Sequence, residues 1–493
     1  MKTRLSVVEE FAAEYLEYHG VLPLEVHDGR LLVAVSGTPA EEVLEDLSAT
    51  FDLPLELLPS GQSELLDAIK AAFDASPEPQ ELADLTAGFE AQVRDADPLA
   101  ADTRDLATQP PVIRFVNRLL RDAAEVGASD VHLDSRRGDL ELRFRLDGVL
   151  HPVGAPPPGL RAAIVSRIKL LAELDIAERR VPQDGRIRLR LEDRELDLRV
   201  STVPTLHGES VVLRLLDRGG RPVTLDELGM GPGLLDCFHR LAKRSHGVVL
   251  ATGPTGSGKT TTLYAALGLR SAGTEKVITV EDPVEYHLPG VTQVPVHAKA
   301  GVTFGAALRS ILRQDPDVLM VGEMRDAETA GIAIRAAMTG HLVFSTLHTN
   351  DAVSAVTRLV DLGSEPYMIA ASLEGVLAQR LVRRNCVECR ERYRPDPMLV
   401  AAVAGHPVDA FEAERGRGCE ACRGTGYKGR VGLFELLVVS DEIRHHLVHD
   451  DLDLGTLRRI ATSQGMAALR EDAWTKVQTG ITTVEEVLRV LQG

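Results

Sequence analysis

The chain has 493 residues, 44% of them hydrophobic and 26% charged, which fits a soluble globular protein of roughly three domains. A net charge of −18 argues against a protein whose main surface grips nucleic acid, and 4% aromatics leave few platforms for stacking bases. No apolar stretch approaches the ~18 residues of a membrane span, and the start MKTRLSVVEE lacks the apolar core of a secretory signal, so a cytoplasmic location is expected.

Residues 1–74 read as a small α/β unit: "VVEEFAAEYLEYHG" has helical spacing, "LPLEVHDGRLLVAV" is a hairpin turning at Asp28-Gly29, and "AEEVLEDLSATF" and "SELLDAIKAAF" follow as helices. This unit carries no catalytic constellation and reads as a docking module. From Asp74 to Asp105 there are nine acidic and two basic residues, with prolines at 77, 79 and 98, so 75–109 reads as a solvated linker with a transient helix at 80–94. Residues 110–217 form a second α/β unit: a helix at 112–125, alternating strands through "SDVHLDSRRGDLELRFRLDGVLHPV", a helix at 159–176 and further strands to "VVLRLL". A short link around "DRGGRPV" (218–225) precedes a strand–helix–strand pattern with phosphate loops, the mark of a parallel-sheet nucleotide-binding core.

The strongest motif is "VVLATGPTGSGKTTTLY". Val248–Ala251 supply the strand, and Gly253, Pro254, Thr255, Gly256, Ser257, Gly258, Lys259, Thr260 and Thr261 form the loop and open the helix. Glycines let the backbone curl so that its N–H groups point at phosphate oxygens beside a helix N-terminus. Lys259 reaches the β and γ phosphates, and the Thr260 hydroxyl is offered to Mg2+. ATP and Mg2+ are therefore the expected ligands.

Three further strands bring polar tips. "VITVEDPVEYHLPG" places Glu281, Asp282 and Glu285 after Val277–Val280, and Pro283 forces an extended or turned path that would set Glu281 and Asp282 facing the phosphates. Such a carboxylate cluster alone is more often a solvated turn; after a phosphate loop it is a candidate for holding metal or water. "DVLMVGEMRD" ends in Glu323, Arg325 and Asp326, with Gly322 where many phosphate-loop enzymes carry an aspartate. "TGHLVFSTLHTNDA" has His341 and His348 flanking a buried strand, which points to a γ-phosphate sensor, although a lone histidine is usually structural.

Cys386, Cys389, Cys419 and Cys422 form two CxxC pairs separated by 29 residues. Four thiolates complete a closed tetrahedral site, so a bound Zn2+ would be structural, the alternative being four reduced, metal-free thiols. Cys237, in "LLDCFHRL", reads as a small core residue. Among the arginines of 110–217, Arg143, Arg145 and Arg186 fit surface ion pairs, whereas Arg199 and Arg214 lie on apolar strand patterns. A guanidinium brought to a γ-phosphate stabilises transition-state charge.

In order, "GPTGSGKTTT", "TVEDPVEY", "RQDPDVLMVGEMRDAET" and "TGHLVFSTLHTNDA" resemble the motifs of the secretion ATPase superfamily, which powers type II secretion and type IV pilus assembly and retraction. The resemblance covers about 110–493, and "SDVHLD", "RFRLDG", "RRVPQDGRI" and "RVSTVPTLHGESVVLRLL" are similar to that family's middle domain. It implies an α/β fold with a P-loop RecA-like parallel-sheet core (226–384), a preceding PAS-like domain, a zinc-binding insertion (385–432) and a C-terminal helical region (433–493). Glu323 then corresponds to the catalytic glutamate that polarises water, Glu281 to the carboxylate of the aspartate-rich box, Arg199 and Arg214 to nucleotide-reaching arginines, and His341 and His348 to the histidine box. Pro295 and His297 in "TQVPVHAKAG" depart from the family pattern.

The cysteine module resembles the family's assembly branch more than its retraction motors, and the short leading domain with its linker resembles the type II secretion ATPase more than the pilus assembly motor, which is the alternative. The resemblance implies a homohexamer held peripherally at the inner membrane. Residues 1–74 would dock to an inner-membrane protein, and the motor would act on a platform protein. A DNA-driven translocase is a rival of another class. The acidic balance and scarce aromatics count against it, and no nucleic-acid partner is expected.

Overall fold

The computed structural model describes residues 107–492, apart from short gaps at 138, 155, 157–158, 192–193, 218–222, 271–272, 409 and 450–452, together with a discontinuous set within 16–69. The acidic linker up to 106, its expected transient helix, the Asp28-Gly29 turn, most of the first expected helix and most of the "DRGGRPV" link lie outside the described residues. The chain divides into two compact units, 1–101 and 102–493.

In the first unit, β1 (Val21–His27) and β2 (Arg30–Val35) pair antiparallel, and β3 (Leu55–Pro59) adds parallel to β2. A parallel neighbour requires a crossover, and the segment between β2 and β3 supplies it with helical residues at 43–44 and 47–48. Leu22, Leu31, Val33, Leu47, Leu65 and Ile69 are fully enclosed. Each such side chain contributes about 1.5–3 kcal/mol.

The second unit begins with α1 (Pro110–Glu125), β4 (Asp130–Arg136), β5 (Asp139–Leu146), β6 (Val149–Pro152), α2 (Arg161–Leu171), β7 (Gln183–Leu191), β8 (Arg194–Thr205) and β9 (Gly208–Asp217). The strands make one antiparallel sheet in the order β6-β5-β4-β9-β8-β7. Alternation assigns its faces: Val131, Leu133, Phe144, Leu198, Val200, Val211 and Leu213 are buried, while their neighbours in sequence are mostly polar. α2 is shorter than the expected 159–176. Glu173 takes φ 58°, and the Leu174 N–H donates back to the Lys169 carbonyl at 2.9 Å, a left-handed closure that stops the helix.

The remaining residues build a seven-stranded sheet in the order β12-β11-β13-β14-β10-β15-β18. Its strands are β10 (Gly247–Thr252), β11 (Val277–Glu281), β12 (Val291–Pro295), β13 (Val318–Val321), β14 (Leu342–Leu347), β15 (Leu373–Asn385) and β18 (Tyr427–Val438). All neighbouring pairs are parallel except β15 with β18. β10 reads as a continuous apolar run because both faces are covered: Val248 and Leu250 enter one core, Val249 and Ala251 another.

The cysteine module is an insertion between the antiparallel neighbours β15 and β18, and contains the short pair β16 (Arg390–Tyr393) and β17 (Ala413–Gly416). β18 therefore crosses the boundary expected at 432/433. Its module end and its core end are one strand, paired with β15 from Asn385↔Tyr427 to Gly375↔Val438 with one register shift between Arg383 and Asn385. Four helices close the described chain, at Asp441–His449, Leu454–Ser463, Leu469–Gln478 and Val484–Leu491. Among the described residues, no helix is long and apolar enough to cross a membrane.

Candidate nucleotide site and metal centre

The phosphate loop follows β10 and leads into a helix at Lys259–Gly268. Gly253, Gly256 and Gly258 have φ of 147°, 78° and 86°, a succession that turns backbone N–H groups inward and that side-chain-bearing residues rarely adopt. Lys259 is buried, and its Nζ donates to the carbonyls of Gly253 at 2.7 Å and Pro254 at 3.0 Å. Burial pulls the Lys259 pKa down to about 8, against the opposing pull of the Glu323 carboxylate. Ser257 Oγ is buried without a hydrogen-bond partner inside this loop. An orphaned hydroxyl, a desolvated ammonium and inward-turned amides fit a polyphosphate. Thr260, at the first turn of the helix and half-buried, is the residue placed to offer a hydroxyl to Mg2+.

β14 lies beside β10, and β13 beside β14, so their carboxyl ends deliver polar tips next to the loop. The Thr346 hydroxyl donates to the Gly322 carbonyl at 2.7 Å, and the Met324 N–H donates to the Thr346 carbonyl at 3.2 Å, which pins the two tips together. Glu323 consequently faces His348, with Oε2 3.5 Å from Nε2, while its other oxygen meets Arg325 Nη2 at 2.5 Å. Burial and the Lys259 charge lower the His348 pKa, so its ring is neutral near pH 7. Lys259, Glu323 and His348 thus gather at one point. Gly322 is where the chain must stay small: a Cβ there would lie 3.3 Å from the Val280 carbonyl oxygen.

Glu281 departs from the expectation. It ends β11, three strands away from β10, about 14 Å across the sheet. Its carboxylate is 2% exposed and turned inward. It accepts from the Tyr264 hydroxyl, from Thr279 Oγ1 at 2.5 Å and from Gln293 Nε2 at 3.2 Å. Burial and the adjacent Glu281 charge hold the Tyr264 phenol far above its usual pKa, so it remains a donor. Glu281 therefore anchors the strand end to the phosphate-loop helix, while Asp282, joined to Pro283 by a cis peptide, is exposed. The departure at His297 is local: its Nδ1 accepts from the Ala300 N–H at 3.2 Å.

His341 is also placed apart from the loop. It precedes β14 at the opposite end from His348, roughly 20 Å along the strand, with Nδ1 2.9 Å from the Ala336 carbonyl. The two arginines lie on the polar face of the antiparallel sheet, where register aligns Arg145, Asp130, Arg214, Arg199 and Arg186 in one row across five strands. Arg214 Nε donates to Asp130 Oδ1 at 3.0 Å, and Arg145 Nε lies 3.4 Å from Oδ2. Arg199 Nη2 is 3.8 Å from Glu285 Oε2, so this face meets the loop that follows Glu281. Residue reading did not single out Gln379 and Arg380 of β15, which border the phosphate loop. Their signal is a polar pair that interrupts the apolar run of Val376, Leu377, Ala378, Leu381 and Val382.

The four cysteine sulfurs lie within 4.8 Å of one another, with Cys386–Cys419 and Cys389–Cys422 at 3.8 Å and Cys419–Cys422 at 3.7 Å. A tetrahedron with Zn–S bonds of about 2.3 Å has edges of about 3.8 Å, whereas a disulfide needs about 2.05 Å. The Cys419 and Gly426 N–H groups donate to Cys422 Sγ at 3.1 and 3.3 Å, which outweighs the effect of burial and draws that thiol toward the thiolate. This set fits one Zn2+, held for structure, with no position left open. Gly416 and Gly426 cross so closely that a Cβ on Gly416 would lie 2.0 Å from the Gly426 carbonyl oxygen.

A parallel sheet with a phosphate loop at its carboxyl edge, and a carboxylate and histidine on adjacent strand tips, defines a P-loop ATPase. The chain matches the Type II/IV secretion system protein family over residues 105–489, and it belongs to that family. It is 53% identical over 399 residues to type II secretion system protein HxcR of Pseudomonas aeruginosa, covering 81% of each chain. It is 48% identical over 441 residues to type II secretion system protein E of the same organism, covering 89% of this chain and 87% of that one. The type IV pilus assembly ATPase PilB of Thermus thermophilus is 42% identical over 476 residues, 95% of this chain but 53% of its own length. Among solved structures, the pilus retraction motor PilT with bound ADP aligns with TM-score 0.51 at 26% identity, over 75% of this chain and 95% of that one. The Legionella pneumophila ATPase DotB shares the fold, with TM-score 0.57 at 22% identity over 76% and 94%. The chain is accordingly an ATP-hydrolysing member of the secretion family.

Proposed function

We propose that this chain is the hexameric motor of a type II secretion system, converting ATP hydrolysis into assembly of a pseudopilus and protein export. What carries the reading is the convergence of Lys259, Glu323 and His348 at the phosphate loop of a chain with relatives of 53% and 48% identity that bear type II names. Identity supports that branch over the pilus assembly ATPase, at 53% and 48% for the two type II relatives against 42% for PilB.

In the proposed mechanism, Lys259 and the loop amides hold the β and γ phosphates, and Thr260 positions Mg2+, which supplies charge neutralisation. Glu323 orients the attacking water, and neutral His348 stands where it can donate toward the γ-phosphate. Arg199 and Arg214 approach the nucleotide from the antiparallel sheet when the two parts of the chain close. Glu281 acts by fixing the loop that carries Asp282 and Glu285. Residues 1–74 dock to an inner-membrane partner at the cytoplasmic face, and the motor displaces a membrane platform protein; no nucleic acid takes part.

The test combines turnover, mass and metal content of the full chain. With ATP and the cytoplasmic part of a type II inner-membrane docking protein, hexamers form, phosphate release rises, and metal analysis finds about one zinc per chain. Stimulation by single-stranded DNA instead, or unchanged turnover in a monomer, would overturn the motor reading.

A further inference from the structure

β15 has thirteen residues and its parallel neighbour β10 has six. Their pairing ends with Thr252 opposite Ala378, so β15 runs on past the end of β10 and along the phosphate loop. The approach is close. A Cβ on Gly253 would lie 2.4 Å from the Gln379 carbonyl oxygen and 3.1 Å from Arg380 Nη1, and one on Gly258 would lie 2.8 Å from Gln379 Nε2. Gln379 Oε1 also accepts from Thr262 Oγ1 at 2.7 Å, tying the strand to the phosphate-loop helix.

Arg380 reaches the other way. Its Nη2 donates to the Asn350 carbonyl at 3.1 Å and to Asn350 Oδ1 at 3.3 Å, while Nη1 donates to the Gln379 carbonyl at 3.2 Å. Asn350 directly follows the β14 tip that carries His348. On its other side that tip is stapled by the Thr349 N–H donating to Thr252 Oγ1 at 2.9 Å, with the two threonine hydroxyls 2.7 Å apart. Arg380 thus lies close to the loop's first glycine and bonds to the far end of the histidine tip. Its Nη donors go to the carbonyl of its strand neighbour Gln379 and to the Asn350 oxygens, in a strand whose Val376, Leu377, Ala378 and Val382 are fully buried. A guanidinium half-sunk in such a strand is costly, and its two bonds to an exposed asparagine do little for the core.

We propose that Arg380 is a positioning residue for ATP hydrolysis: by clasping Asn350 against the phosphate loop, it holds His348, and through it Glu323, in register with the phosphates. The inference rests on the reading of Glu323 as the water-orienting carboxylate. The planar fork matters because its two terminal nitrogens, rigidly spaced, divide the work: Nη2 serves the Asn350 oxygens and Nη1 the Gln379 carbonyl, whereas lysine ends in a single nitrogen on a flexible stem. A tip displaced by about 1 Å can cost up to a hundredfold in rate without changing ground-state binding.

The test uses the full chain with Arg380→Lys, Arg380→Ala, Asn350→Ala and Glu323→Gln, reading steady-state turnover and the affinity of a fluorescent non-hydrolysable ATP analogue. Both Arg380 variants are expected to lose about ten- to a hundredfold in kcat with analogue affinity within about threefold, and Asn350→Ala about threefold in kcat. Lysine restoring kcat to within about twofold, or alanine weakening the analogue about tenfold at unchanged kcat, would overturn the proposal by showing a charge that simply binds phosphate. If the Arg380 variants do not fold, Asn350→Ala decides alone: an unchanged kcat overturns the proposal, and a several-fold fall at constant affinity supports it. Normal turnover by Glu323→Gln would remove the underlying reading, whereas an inactive Glu323→Gln beside a fully active Arg380→Lys would remove only the positioning role.

Discussion

The two large sheets of the second unit use the same twenty side chains to opposite ends. The seven-stranded, mostly parallel core buries both faces, and its chemistry is pushed to the carboxyl tips of β10, β13 and β14. The six-stranded antiparallel sheet buries one face and exposes the other, so its charged residues form a row, Arg145-Asp130-Arg214-Arg199-Arg186, spread across five strands. Tips are fixed by several short bonds each; a face is held by ion pairs that a closing partner can exchange. Position along a strand decides function in the first sheet, and position across strands decides it in the second.

The largest expected effect lies at a tip. Glu323→Gln keeps the shape of the Glu323–His348–Arg325 cluster but removes the charge that the proposed mechanism uses to orient water. Turnover should fall about 10²–10⁴-fold while ATP binding persists. Hydrolysis within about twofold of the unaltered chain would take Glu323 out of the mechanism. On the antiparallel face, Arg199→Ala and Arg214→Ala should each lose roughly tenfold to a hundredfold, less than an unpaired arginine finger, because Asp130 and Glu285 already neutralise part of the charge. If the face works by exchange of ion pairs, the loss should also grow with salt; a salt-independent loss would make it behave like a tip.

The histidines put the position rule to a sharper test, since both flank one strand. His348→Ala should cost about tenfold in kcat and His341→Ala less than about twofold, measured in the same preparation. Equal losses would mean that the amino end of β14 reaches a nucleotide held elsewhere.

What was legible in the sequence divides along similar lines. The phosphate loop, the parallel strands and the cysteine quartet were readable because each is set by local spacing: glycines at positive φ, apolar runs, two CxxC turns. Glu281 was misjudged because a strand-end carboxylate in sequence says nothing of which way it turns. The Tyr264 hydroxyl and Gln293 amide that draw it inward come from elements 17 residues before and 12 after. Arg380 escaped notice because its meaning depends on β15 outrunning β10, a difference in length between strands more than a hundred residues apart. The end of the cysteine module was misplaced for the same reason, since pairing with β15 makes Tyr427–Val438 one strand across it.

The smallest effect is a proton. Lys259 sits at the tip of the parallel sheet, where burial, helped by repulsion from Arg380, lowers its pKa from 10.5 to about 8 in the ligand-free chain. With the folded value depressed, the unfolded state binds more protons between about pH 8 and 10.5, so this residue makes stability rise with pH across that window. Phosphate binding has the opposite sign, because a triphosphate beside the ammonium favours the charged form and raises its pKa again. Binding of a magnesium-bound ATP analogue should therefore take up roughly half a proton near pH 8 and almost none near pH 6.5. Calorimetry in two buffers of different ionisation enthalpy reads this directly. Equal uptake at both pH values would mean that Lys259 is fully charged before nucleotide arrives, and that the tips of the parallel sheet are no drier than the exposed face of its antiparallel neighbour.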